Sequence, residues 1–362
     1  MKTMENNILL TDRQTDRQTD RHSIFSFDKR RIDWIDIAKG IAIVLVIIGH
    51  SVEYGCGVRN FIFSFHMPLF FILSGYTFRI AENKETLIRH LKNNVKHLML
   101  PCLYVTLIAI VASLLIYNTG DGNSILNVIH RYSVALIWAS GVRVYEYPAA
   151  GAIWFIISLF WAKFLMDVVS LAFPGKYIQY IFFFVGIAGI CLGVSGLRLP
   201  QNFDVTFVAI FYVSIGMQWK KYQDLIEKYS ELIFIFAITI WFSCLYFGIY
   251  IEMATRSYPF YLLSFIESIC GTFAVCYLCK ALAQNAYVKN AFIFIGVHSL
   301  LIFFCHHLDW IAFFFIPHSS YFVYIALRVF VVLSIAFVVY LVKYCLSTYY
   351  SKLKFFNAIS TR

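Results

Sequence analysis

After a polar stretch of 30 residues, the chain returns repeatedly to apolar runs of about 20 residues, the length a helix needs to cross a bilayer. These runs fall at 33–52, 61–79, 98–117, 151–172, 177–197, 203–219, 231–251, 259–283, 286–306 and 322–344. Ten such segments with short connections use most of the 362 residues. Hydrophobic types make up 60% of the chain and charged types 14%, against about 45–50% and about 25% in an average soluble domain. A water-soluble enzyme and a disordered chain are thereby excluded. A transmembrane barrel needs alternating apolar and polar residues, whereas Ile41–Ile48 and Phe182–Val185 are apolar at every position. The expectation is an all-α, polytopic integral membrane protein of about ten transmembrane helices.

The formal charge of +10 fits Lys and Arg held on the cytoplasmic side of a membrane, with no need for nucleic acid as a partner. With ten spans and the N-terminus inside, the cytoplasmic segments hold 22 Lys and Arg and the external loops 5. This asymmetry places both termini in the cytoplasm, in a multi-pass protein of the cell membrane. Residues 1–30 contain the repeat TDRQTDRQTDR and have no apolar face to bury, so they are expected to form a disordered cytoplasmic tail. Residues 31–348 form the membrane domain and 349–362 a short cytoplasmic tail. The longest loop, 118–150, contains a stretch from Ile125 to Ala139 that suits an interfacial or re-entrant helix. The nine cysteines lie mostly inside apolar runs. Cys276 and Cys279 form a CxxC without a second pair, so no metal is expected.

Ionisable residues inside a membrane mark function or a partner. In the first span, Lys39 and His50 are 11 residues apart. Eleven helical steps return to nearly the same face and rise about 16.5 Å. One face thus carries a cation near one end and an imidazole near the other. Lys39 either pairs with Asp36, one turn away, or meets an anionic ligand. The second span runs back, so His66 lies at a depth similar to His50, followed by the helix-kinking Pro68. Ser74 and Gly75 permit close backbone approach, and Arg79 ends the span, as a snorkelling cation or a ligand contact. Further along, Ser299 and His306 are seven apart and share a face, with His306 at the depth of the other two histidines. Glu267 lies about eight residues into its span and is a functional candidate or a partner for Arg328 or Lys163. Lys163 and Asp167, at i,i+4, suit mutual neutralisation. No phosphate-binding loop, nucleophile elbow or HExxH motif is present.

Four blocks resemble the membrane acyltransferase-3 family, in particular its fucose 4-O-acetylase-like branch: DIAKGIAIVLVIIGH (36–50), FHMPLFFILSGYTFR (65–79), AIWFIISLF (152–160) and IGVHSLLIFFCHH (295–307). The resemblance implies a roughly ten-helix membrane domain that uses cytoplasmic acyl-CoA to acylate hydroxyls, often of cell-envelope sugars. It puts the family's basic residue and histidine on Lys39 and His50. The SGY segment and trailing arginine fall on Ser74, Gly75, Tyr76 and Arg79, the central tryptophan on Trp154, and the late serine and histidine on Ser299 and His306. One departure is that the loop after the second span has Arg89 followed by Lys92 and Lys96, where many relatives carry RxxR. Lysine keeps the charge but loses the bidentate fork.

The expected function is an O-acetyltransferase, moving acetyl from acetyl-CoA to a glycan or lipid-linked sugar within membrane lipid, with no permanently bound cofactor. Lys39, Arg79, Ser74 and Gly75 are the candidate donor contacts. Trp154, Ser299 and Glu267 are the candidate acceptor contacts. A hydroxyl is a weak nucleophile at neutral pH and needs a base. His50 is the first candidate, as base or as a transient acetyl-imidazole, with His66 and His306 beside it. A small-molecule transporter and a non-catalytic sensing module are the alternatives, because transport paths use membrane charges as readily.

Overall fold

The computed structural model describes residues 31–116, 122–173, 175–316 and 320–360. The expected tail 1–30 lies outside them. The helices are α1 (Asp33–Gly49), α2 (Gly57–Thr77), α3 (Lys84–Asn94), α4 (Leu100–Ile116), α5 (Gly122–Trp138), α6 (Trp154–Ala172), α7 (Ile178–Ser195) and α8 (Phe203–Lys221). They continue with α9 (Gln223–Lys228), α10 (Ser230–Tyr246), α11 (Leu262–Leu282), α12 (Ala286–Val297), α13 (Ser299–His307), α14 (Asp309–Phe315) and α15 (Tyr321–Ser360). Two isolated bridges, Val144 with Tyr147 and Glu252 with Ser257, are the only β pairings among the described residues. The all-α expectation therefore holds.

Among the described residues, six helical segments are long and apolar enough to cross a membrane, or seven if one bent pair counts as a single span. Ten were expected. Two of the remaining apolar helices, α1 and α10, have 17 residues each, just under a full crossing. The lipid-facing character is plain on α4 and α15, where Leu107, Val111, Leu115, Phe330 and Val338 are more than half exposed and apolar. Such a surface is stable only against hydrocarbon.

The helix expected inside the longest loop is present, and two other segments depart from the expected spans. The fifth helix, α5, occupies the loop predicted at 118–150, close to its Ile125–Ala139 stretch. The run 286–306 is not one rod: α12 and α13 meet at His298 with a bend of 59°. α15 continues as helix through residues expected to be a tail. A wide turn, Val95–Met99, joins α3 to α4 just before Pro101. Proline has no N–H and clashes with the carbonyl four residues back, and a widened turn relieves both.

The core is built on two close crossings. Gly75 of α2 faces the Val213 carbonyl of α8, and Gly216 of α8 faces the Ile72 carbonyl of α2; a Cβ at either would fall onto backbone. Gly40 of α1 and Gly296 of α12 meet the partner backbones at Phe292 and Asp36 in the same way. Without Cβ atoms the backbones approach closely, the usual solution where no hydrophobic effect drives helices together in lipid. Beside these crossings the segment 249–261 is held by two buried arginines. Arg59 of α2 makes a bidentate pair with Glu252, at 2.9 and 3.3 Å. Arg256 donates to Asp204 (2.8 Å), Ser140 (2.7 Å) and the Ala254 carbonyl (2.9 Å). This segment walls the site described next.

Candidate active site

α1 places its two ionisable residues as the spacing requires. Lys39 lies six residues inside the helix, and His50 follows its last residue, Gly49. Each opens into a different cavity. The lysine cavity, of about 570 Å3, is lined by Arg31, Asp36, Lys39, Ser74, Lys163 and Ser299 among its polar residues. Its wall is apolar, with Ile43, Val46, Met67, Phe155 and Phe303. The histidine cavity, of about 480 Å3, is lined by His50, Arg59, Arg131, Trp154, Glu252, His306, His307, Asp309 and Arg328. A third cavity, of about 30 Å3, lies against His50, Phe63, His66, Met67 and Trp154.

Three histidines cluster at the histidine cavity and the small cavity beside it. The His50 and His306 rings are 5.3 Å apart, centre to centre. Phe63 packs between His50 (5.3 Å) and His66 (4.7 Å). His66 donates Nδ1–H to the Ile62 carbonyl at 2.8 Å, which leaves its Nε2 free. His306 donates Nδ1–H to Asp309 Oδ2 at 2.8 Å. A carboxylate only accepts, so the tautomer is fixed and Nε2 of His306 is left as an acceptor. Arg328 of α15 grips the same carboxylate, Nε to Oδ2 at 2.7 Å and Nη2 to Oδ1 at 3.0 Å. Its Nη1 reaches the His50 carbonyl at 2.9 Å, tying both histidines to one guanidinium. Burial works to raise the Asp309 carboxyl, but the hydrogen bonds from His306 and Arg328 outweigh it and hold the group below the usual carboxylate range. The His50 side chain makes no hydrogen bond with a described residue.

The lysine cavity carries an excess of positive charge. Arg31 and Lys39 share Asp36, at 3.6 and 3.8 Å. Lys163 forms no ion pair among the described residues; its nearest favourable contact is the Phe78 ring, 5.6 Å away. The expected pairing with Asp167 is not made. Asp167 instead accepts from the Ala81 N–H (2.7 Å) and from His90 (2.9 Å), bonds that pin the segment before α3 onto α6. Three cations against one carboxylate suit a polyanion.

Residues chosen from the sequence divide clearly. His50, His66, His306 and Trp154 come together at the histidine cavities, and Lys39, Ser74 and Ser299 line the lysine cavity. Gly75 lines neither; the α8 backbone explains it. Arg79 follows the end of α2, is exposed and lines no described cavity. Glu267 is buried apart from both cavities, and the partners expected for it are engaged elsewhere or absent: Arg328 holds Asp309. Sequence reasoning missed Asp309 as the partner of His306, though CHHLDW places it at i+3, one helical turn away.

A family model described as an acyltransferase domain matches residues 32–347. The chain belongs to the acyltransferase-3 family. The match covers all three histidines, both lysines and the Asp309–Arg328 pair. No curated protein and no solved structure matches this chain. As a membrane acyltransferase, the protein needs a donor site, an acceptor site and a base between them. Two cavities joined through a small one, with an oriented imidazole on one side, have that form. Among the described residues, no group of three or more His, Cys, Asp or Glu is placed to hold a metal ion.

Proposed function

We propose that this acyltransferase-3 protein moves an acetyl group from acetyl-CoA, bound from the cytoplasm, to a hydroxyl of a cell-envelope or lipid-linked sugar. The observation that carries the reading is a cationic cavity and an aromatic one joined through a small cavity lined by His50 and His66, with His306 5.3 Å from His50 on the aromatic side. CoA bears phosphates and a thin thioester arm. The phosphates suit Arg31, Lys39 and Lys163, and the arm suits the apolar wall beyond them. The excess of Lys and Arg on the inner side of the ten expected segments supports a lysine cavity and both termini that face the cytoplasm of the cell membrane. The histidine cavity, with Tyr54, Tyr132, Trp154 and Trp310 around a few polar groups, is suited to a sugar ring.

The chemistry follows from the hydrogen bonds. The acceptor hydroxyl attacks the thioester carbonyl carbon and passes its proton to His306 Nε2, the nitrogen left free by Asp309. The carbon–sulfur bond then breaks, and the leaving thiolate takes the proton from His306, giving the ester and free CoA. Asp309 stays ionised and steadies the imidazolium. His50 lines the same cavity as His306 and also the small cavity beside it. From sequence alone it was the first candidate for the base; the Asp309 contact favours His306 for that role. The test is transfer of labelled acetyl from acetyl-CoA in membranes, together with mass spectrometry of envelope glycans from wild-type and deletion cells. Loss of one acetyl increment in the deletion, with no labelling by His306→Ala membranes, supports the reading. Unchanged glycans and no labelling by the wild type overturn it.

A further inference from the structure

The small cavity sits where the acyl group has to pass. It shares Met67 with the lysine cavity, and His50, Phe63 and Trp154 with the histidine cavity. The two large cavities have no lining residue in common. An acyl group carried in from the lysine side therefore reaches the histidines past Met67. The room beyond is about 30 Å3. One water needs about 10–15 Å3 of such space, so two or three small atoms fill it. That matches the carbonyl and methyl of an acetyl group and leaves no place for a longer chain.

The walls differ in how readily they give. Phe63 is locked between two imidazoles. Trp154 packs so tightly that a Cβ on Gly141 would touch its indole at 2.5 Å. Met67 is unbranched, turns on three bonds, and is 8% exposed. A second methionine, Met253, also lines the small cavity, but only Met67 lines the lysine cavity as well, so Met67 is the adjustable wall on the donor side. We propose that Met67 is the acyl gauge of this enzyme: its side chain caps the small cavity and holds transfer to the acetyl group. The proposal rests on the acyl-CoA reading above and goes beyond it by assigning the length limit to one residue.

The experiment gives membranes containing wild type, Met67→Ala, Met67→Leu or Met67→Phe a series of acyl-labelled thioesters: acetyl-, propionyl-, butanoyl- and octanoyl-CoA. Label is counted in the envelope glycan and lipid fractions. Each methylene in a tight apolar pocket is worth at least about tenfold. Wild type is expected to favour acetyl over butanoyl by about 100-fold or more. Met67→Ala should shrink that gap at least about tenfold, by a gain with butanoyl-CoA. Met67→Leu conserves volume and should keep the wild-type ratio. Met67→Phe should lower propionyl relative to acetyl, and it reads the gauge even if the alanine variant fails to accumulate. Equal use of octanoyl and acetyl by the wild type, or a Met67→Ala ratio like the wild type's, overturns the gauge while leaving the acyltransferase reading standing. Wild type that uses none of the four thioesters overturns both.

Discussion

Replacing Asp309 by Asn tests the base assignment with almost no change in shape. The carboxylate accepts three hydrogen bonds, one from His306 and two from Arg328. An amide offers one oxygen. If that oxygen stays toward His306, the NH2 group faces the Arg328 Nη2 donor. If it turns, the NH2 group meets His306 Nδ1, and the imidazole proton moves to Nε2, the nitrogen that has to accept. In either state Arg328 loses its counter-charge beside a carboxamide that is only 4% exposed in its native form. General-base catalysis is worth about 10²–10⁴-fold, or about 2.7–5.4 kcal/mol at 1.36 kcal/mol per decade. Asp309→Asn should lower kcat by that range. The donor KM should stay within about twofold, since Asp309 does not line the lysine cavity. The assay is labelled transfer from acetyl-CoA under donor saturation, with donor binding measured on the same purified variant to establish folding. A folded Asp309→Asn that keeps more than a tenth of wild-type kcat refutes the role given to His306 and returns the base to His50.

The same carboxyl sets a pH dependence. Its folded value is depressed, so its contribution to stability is present above the unfolded pKa of about 3.9 and is lost as pH falls through the folded value. Acid unfolding monitored by circular dichroism should therefore show a stability loss below about pH 4 that Asp309→Asn lacks; identical acid profiles would remove Asp309 as a source. Lys163→Gln should raise the acetyl-CoA KM about tenfold or more with little change in kcat, and Lys163→Arg should recover most of it; an unchanged KM would return Lys163 to a packing role. Gly75→Ala drives a methyl onto the Val213 carbonyl and should abolish accumulation of folded protein, whereas Arg79→Ala, in an exposed position, should accumulate normally; equal yields would mean that the α2–α8 crossing tolerates spreading.

The fold was readable because helices in lipid need long apolar runs, and those runs are visible in any order of reading. The bend at His298 was not: no proline sits at the break, and the nearby Gly296 is taken up by the crossing with α1. The lysine and histidine of α1 were readable because 11 residues is a helical period. Lys163 was misread for the opposite reason. An i,i+4 pair looks self-sufficient on paper, yet Asp167 is drawn off by an N–H and an imidazole from the segment 81–90, which no spacing rule connects to it. Gly75 was read both as a point of close backbone approach and as a donor contact, and the α8 crossing bears out the first. Its neighbour across the interface, Gly216, comes 141 positions later, and only packing reveals that the two serve one crossing.

The break between α12 and α13 leaves a helix of nine residues, about 13.5 Å long. Its first residue, Ser299, lies in the wall of the lysine cavity, and its next-to-last, His306, faces the other. Its partial positive end is therefore turned toward the cation-lined chamber and its partial negative end toward an imidazole that is to gain a proton. A rod this short does not bend, so a displacement at one chamber is delivered to the other as a tilt. A ligand against Ser299 that tilted this helix would therefore change the reach of His306, and by reciprocity a ligand pressing on His306 would change the fit at Ser299.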